Sequence, residues 1–131
     1  MTTGREQLRR VLVVDDDEAV RRTLELVLGR AGCSVSTACD GGEFLRLLEE
    51  GFRGLILLDI MMPGLDGWGT VEAIQKRGWP EGILVCMLTA CVDPKPGVAG
   101  LEEFVFDYVV KPFDVEELVD VVELALGQLT P

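Results

Sequence analysis

Histidine is absent from the 131 residues. That absence excludes histidine general bases, Ser–His and Cys–His nucleophile pairs, histidine metal ligands and a histidine phosphodonor. Basic residues are scarce, with 12 Lys and Arg against 23 Asp and Glu and a formal net charge of −11. A nucleic-acid surface needs clustered cations facing phosphates, so no DNA or RNA partner is expected. No apolar run approaches the ~18 residues that would span a bilayer, and no membrane partner is expected. Arg5, Arg9 and Arg10 precede Val11–Val14 in the manner of a secretion signal. That run meets Asp15 at once, well short of the apolar stretch of about 7–15 residues that such a signal needs. Cys33, Cys39, Cys86 and Cys91 contain no C-x-x-C pair, so neither a thiolate metal site nor a disulfide framework is expected. The expected location is intracellular and cytoplasmic.

What the sequence does contain is a regular alternation. The length suits one domain, with residues 1–8 and 128–131 expected as loose tails and 9–127 as the folded unit. Val11–Val14 is a short β-rich run ending in acid. After it, Val20, Leu24, Val27, Leu28 and Ala31 share one helical stripe, with Asp17 as the expected N-cap. Cys33–Ala38 alternates like a strand, and Phe44, Leu45 and Leu48 mark a short amphipathic helix. Leu55–Leu58 is a continuous apolar strand ending at Asp59. A helix is expected over Asp66–Arg77 through Trp68, Val71 and Ile74, followed by a strand over Ile83–Leu88. A short strand over Tyr108–Val110 and a helix over Asp114–Leu126 close the chain. Strands that are apolar throughout are buried on both faces, as in a parallel sheet covered by helices. The expected fold class is therefore α/β, a doubly wound parallel sheet.

Such sheets bind ligands beyond the carboxyl ends of their strands. The residues placed there are Asp15 and Asp16, Asp59, Thr89 and Lys111. Taken singly each has an ordinary reading, as a capping turn, a loop acid, a turn threonine or a strand end. Their joint placement at successive strand ends points to chemistry. Gathered carboxylates repel one another, and a cation removes that penalty. Oxygen-only donors without histidine suit Mg²⁺ or Mn²⁺. A metal there would let an aspartate act as a nucleophile toward a phosphoryl group, with Lys111 and Thr89 as donors to its oxygens.

Four segments in order then carry a resemblance: Val13-Val14-Asp15-Asp16-Asp17, Leu57-Leu58-Asp59-Ile60-Met61-Met62-Pro63-Gly64-Leu65-Asp66-Gly67, Leu88-Thr89-Ala90, and Tyr108-Val109-Val110-Lys111-Pro112-Phe113. Over about residues 9–127 the chain resembles the receiver domain of two-component response regulators, of the single-domain chemotaxis type. The resemblance implies a flavodoxin-like (βα)₅ fold with strand order 2-1-3-4-5. It implies Asp59 as acceptor of a phosphoryl group from the phosphohistidine of a histidine kinase or phosphotransfer protein. Asp15, Asp16, Asp59 and the backbone carbonyl of Met61 would hold Mg²⁺, and Lys111 would pair with the acyl phosphate. Thr89 and Tyr108 would form the switch pair, Thr89 moving toward the phosphoryl group and the Tyr108 ring turning into the vacated space. Met61 and Cys91 would stand at the mouth of the site. Methionine orients water poorly, so slow self-dephosphorylation is expected.

The chain departs from the family pattern between Thr89 and Tyr108. Pro94, Pro96, Gly97 and Gly100 disfavour a helix, and Phe104-Val105 replaces the usual Gly-Ala pair. A short or irregular fourth helix, about Val98–Val105, is expected. In the last helix Val115, Leu118, Val119, Val122 and Leu126 form the expected core stripe, with Val121, Leu124 and Ala125 off it. Output is expected through a downstream protein or a second receiver docked on the 98–126 face. A turnover enzyme is not expected. An aspartate-based phosphohydrolase would need an acid where Met61 stands, and a phosphorylation-independent pseudo-receiver is the remaining alternative.

Overall fold

A computed structural model of the chain describes residues 9–90 and 100–129. Five strands, β1 (Arg10–Val14), β2 (Ser34–Ala38), β3 (Gly54–Asp59), β4 (Ile83–Thr89) and β5 (Val105–Val110), form one sheet in the order β2-β1-β3-β4-β5. Every neighbouring pair is parallel. Helices α1 (Glu18–Arg30), α2 (Gly41–Glu49), α3 (Gly67–Arg77) and α4 (Val115–Leu129) connect and cover it.

The continuous apolar runs resolve into two cores because alternate strand residues point to opposite faces. Leu12, Val14, Ile56, Leu58, Val85 and Met87 pack on one face with Phe44 and Leu45 of α2 and Trp68, Val71 and Ile74 of α3. Val11, Val13, Leu55, Leu57, Cys86 and Leu88 pack on the other with Leu24 and Leu28 of α1 and Leu118, Val122 and Leu126 of α4. Burying a Val, Leu or Ile side chain contributes about 1.5–3 kcal/mol, and strands β1 and β3 give the full gain from both faces. Cys86 lies within the second core, where burial pushes its thiol up to about 12. Each of the four α-helices starts on an aspartate, Asp114 accepting from Glu117 N at 3.1 Å in α4. Asp17 accepts from Ala19 N at 2.8 Å, Asp40 from Glu43 N at 2.8 Å and Asp66 from Gly69 N at 2.7 Å.

The C-terminal third differs from expectation in detail. The described part of the anticipated fourth helix is a 3₁₀ turn over Leu101–Phe104, entered from Gly100 at φ 94°; residues 91–99 lie outside the described residues. Phe104 stacks on Trp79 with ring centres 4.8 Å apart, and Val105 packs on the α2/α3 core. Large apolar side chains in place of a Gly-Ala pair thus extend β5 back to Val105, three residues ahead of Tyr108. Helix α4 continues past the end expected at Leu126 to Leu129, because Leu129 still packs against the core. Val115, expected in the core stripe, is 47% exposed, whereas Ala125 is fully buried. The helix therefore meets the sheet along a line rotated from the one its periodicity drew.

Candidate functional site

The carboxyl ends of β1, β3, β4 and β5 bring Asp15, Asp59, Thr89 and Lys111 to one edge of the sheet. Asp15 follows β1 directly and is fully buried, Asp59 ends β3 and Thr89 ends β4, both also buried. Register fixes their proximity: Asp59 lies opposite Leu88, and Thr89 lies opposite Val110. Lys111 N donates to Thr89 O at 2.7 Å, which carries the β5 ladder one residue further and aims the following side chain across the edge. The Lys111–Pro112 peptide is cis.

The two buried carboxylates are held in the same way. Asp15 Oδ1 accepts from Asp17 N at 2.9 Å, and Asp59 Oδ1 accepts from Met61 N at 3.1 Å. Each local turn ties down one oxygen and leaves Oδ2 free to meet a cation. Lys111 Nζ stands there, 2.7 Å from Asp15 Oδ2 and 3.5 Å from Asp59 Oδ2. Arg21, a residue without a sequence signal for this role, donates from Nη1 to Asp15 O at 2.7 Å and braces the loop from the first turns of α1.

Burial raises the Asp59 carboxyl to about 6, and the charge of Asp15 adds to the rise, while Lys111 and Met61 N–H oppose it. Burial acts to lower the Lys111 pKa, yet its bonds and charge pairing with Asp15 and Asp59 leave it above the ordinary lysine value. The remaining donors suit a small hard cation. Asp16 is exposed at the same edge, and Asp15, Asp16 and Asp59 each offer an oxygen within 4.8 Å of the others. A divalent ion among three carboxylates would relieve the repulsion that raises Asp59, so the donor set fits Mg²⁺ or Mn²⁺.

The loop after Asp59 is pinned at its far end. Gly67 N donates to Ile60 O at 2.9 Å, and a Cβ on Gly67 would stand 2.7 Å from Asp59 O and 2.8 Å from Ile60 Cα. Glycine is required there for close approach rather than for turn geometry, a signal that spacing alone does not reveal. Met61 is 73% exposed at the rim, and Cys91 lies outside the described residues. Tyr108 sits further back on β5, opposite Met87, half-buried with its ring 6.3 Å from that of Trp68. Burial, reinforced by Glu102, raises its phenol pKa. A second acidic group, Cys39, Asp40 and Glu43, is accounted for by the cap of α2, with Asp40 bonding Glu43 N and Glu43 bonding Cys39 N.

Comparison with known proteins places this arrangement. Residues 11–123 match the response regulator receiver domain family. A CheY-like response regulator receiver domain protein from Methanospirillum hungatei JF-1 is 43% identical and superposes with a TM-score of 0.87, covering 92% of this chain and 95% of that one. A response regulator protein, TrrA of Thermotoga maritima, solved in complex with Mg²⁺-BeF, is 31% identical with a TM-score of 0.76, over 93% of this chain and 99% of that one. The probable transcriptional regulator ycf27 of Cyanidium caldarium is 44% identical over 108 residues, which is 82% of this chain and 42% of the relative. This chain spans less than half the length of the curated relatives it matches. Among the described residues no helix is long and apolar enough to cross a membrane.

Proposed function

Because the chain belongs to the family of response regulator receiver domains of two-component signalling, we propose that Asp59 is its phosphoacceptor and that Asp15, Asp16 and Asp59 hold Mg²⁺, with the Met61 carbonyl as a further ligand. The observation that carries this reading is the placement of buried Asp59, its free Oδ2 3.5 Å from Lys111 Nζ and its oxygens within 4.8 Å of those of Asp15 and Asp16. The donor is a phosphohistidine on a histidine kinase or phosphotransfer protein. An Asp59 oxygen forms a bond to phosphorus as the P–N bond breaks, and the imidazole leaves with the electron pair.

Each residue has a task in that transfer. The Met61 N–H holds Asp59 Oδ1, so that Oδ2 faces the incoming phosphorus. Lys111 balances the charge of the transferred group, the largest contribution available to phosphoryl transfer. A bound Mg²⁺ would neutralise the acidic edge that otherwise repels a phosphoryl dianion. Thr89, at the end of β4, meets a phosphoryl oxygen through its hydroxyl, and Tyr108 follows. Output then passes to a downstream protein or a second receiver at the face formed by the 98–126 segment, of which residues 98 and 99 lie outside the described residues. The chemistry ends with transfer and slow hydrolysis, without turnover of a free substrate.

Intact mass after incubation with acetyl phosphate and Mg²⁺ tests this directly. One phosphoryl adduct is expected, absent from Asp59→Ala and without added Mg²⁺. An unmodified wild-type chain, or an adduct that persists in Asp59→Ala, would reject it. Hydrolysis of p-nitrophenyl phosphate with turnover would instead favour a phosphohydrolase.

A further inference from the structure

Trp68 lies in the first turn of α3 and is 5% exposed, and its indole Nε1 is buried without a hydrogen-bond partner. A buried N–H left unpaired is costly, and native interiors contain few of them. The ring beside it is that of half-buried Tyr108, whose hydroxyl has no hydrogen bond within the protein among the described residues. The two rings are tilted by 50° with centres 6.3 Å apart. The distance from a phenol's ring centre to its oxygen covers much of that gap, so a turn of the half-buried Tyr108 ring toward the core would bring donor and acceptor together.

Trp68 is also joined to the phosphoacceptor loop. Its neighbour Gly67 bonds Ile60 O, one residue beyond Asp59, and packs too closely against Asp59 O to accept a Cβ. Trp68 therefore stands between the loop that senses Asp59 and the strand that carries Tyr108, on the side of the sheet shared with Met87 and Leu101.

We propose that Trp68 is a positioning residue for the aromatic switch: its Nε1–H donates to the Tyr108 hydroxyl when that ring turns inward, and this bond favours the phosphorylated state over the resting one. The unpaired indole makes the resting state less stable than it could be. A phosphoryl group at Asp59 then selects the arrangement in which the buried indole N–H is paired. A ligand shifts a two-state equilibrium only through contacts that differ between the states, and this bond is such a contact. The inference rests on the phosphoacceptor reading of Asp59.

The test uses beryllofluoride with Mg²⁺ as the phosphoryl mimic on the full chain, in wild type, Trp68→Phe, Tyr108→Phe and the double variant. Each single change is expected to weaken beryllofluoride binding about 3- to 10-fold, the range one hydrogen bond spans. The double variant should bind no more weakly than the singles, because both delete the same bond. In ¹H–¹⁵N spectra the two indole signals, Trp68 and Trp79, are told apart by Trp79→Phe. The Trp68 signal should move downfield with beryllofluoride in wild type and stay in place in Tyr108→Phe, a readout independent of whether Trp68→Phe folds. Wild-type affinity in Trp68→Phe, multiplying effects in the double variant, or an indole shift that persists in Tyr108→Phe would each overturn the proposal. Failure of wild type to bind beryllofluoride would instead reject the phosphoacceptor reading.

Discussion

Lys111 Nζ is bonded to Asp15 Oδ2 at 2.7 Å and stands farther, at 3.5 Å, from Asp59 Oδ2. The ammonium thus neutralises the fully buried acid first and occupies a position a divalent cation would contest. Removing Lys111 strips Asp15 of its counter-charge. Lys111→Met is expected to destabilise the metal-free protein by about 1–3 kcal/mol, less than a fully buried pair would because Lys111 is partly solvated. The same variant should bind Mg²⁺ at least as tightly, since one competing cation is gone, yet accept phosphoryl at least about tenfold more slowly for want of charge balance. Urea denaturation, Mg²⁺ titration and acetyl phosphate labelling measure the three effects. Weaker Mg²⁺ binding would contradict this account.

Gly67→Ala separates close approach from turn conformation. Its methyl would meet the Asp59 carbonyl oxygen and the Ile60 Cα, both backbone atoms that cannot swing aside. A loss of about 1–3 kcal/mol is expected, together with weaker Mg²⁺ binding, because the Asp59 loop must shift. Gly64, at φ 77° with open space around its Cβ position, provides the contrast: Gly64→Ala should cost about 1 kcal/mol and leave Mg²⁺ affinity nearly unchanged.

The raised Asp59 carboxyl sets a pH signature for the metal-free protein. Between its ordinary value of 3.8 and about 6 in the fold, the folded chain holds a proton that the unfolded chain has released. Stability from this group is present below the lower value and is lost as pH rises through the upper one. The loss is on the order of 1–3 kcal/mol. Thermal melts of wild type and Asp59→Asn across pH 4 to 7.5, a range of roughly this carboxyl's titration, should diverge, with the variant gaining relative to wild type. Parallel curves would show that Asp59 titrates as an ordinary carboxylate.

Met61 stands at the rim with 73% of its surface exposed and offers no donor to orient water. The acyl phosphate should therefore decay slowly, and Met61→Asn should shorten its lifetime several-fold in a ³²P decay assay. Equal lifetimes would remove side-chain control at this position.

Much of the fold was legible because its signals are local. Apolar runs at Val11–Val14, Leu55–Leu58 and Ile83–Leu88 announce doubly covered strands, and Asp17 sits where a helix cap belongs. The C-terminal third was less legible because its outcome depends on neighbours. Phe104 finds Trp79, which lengthens β5, and Val115 turns outward while Ala125 turns in.

The sequence by itself determined the alternation of strands and helices, and with it the gathering of Asp15, Asp16, Asp59, Thr89 and Lys111 at one edge, since parallel strands all end on the same side. Tertiary structure alone decided that Lys111 reaches Asp15 across 96 positions of chain, that Gly67 closes onto the Asp59 backbone, and that Trp68 is buried with its N–H unpaired beside Tyr108. Periodicity specifies which face a residue occupies. Distances between side chains on different elements depend on how those faces pack.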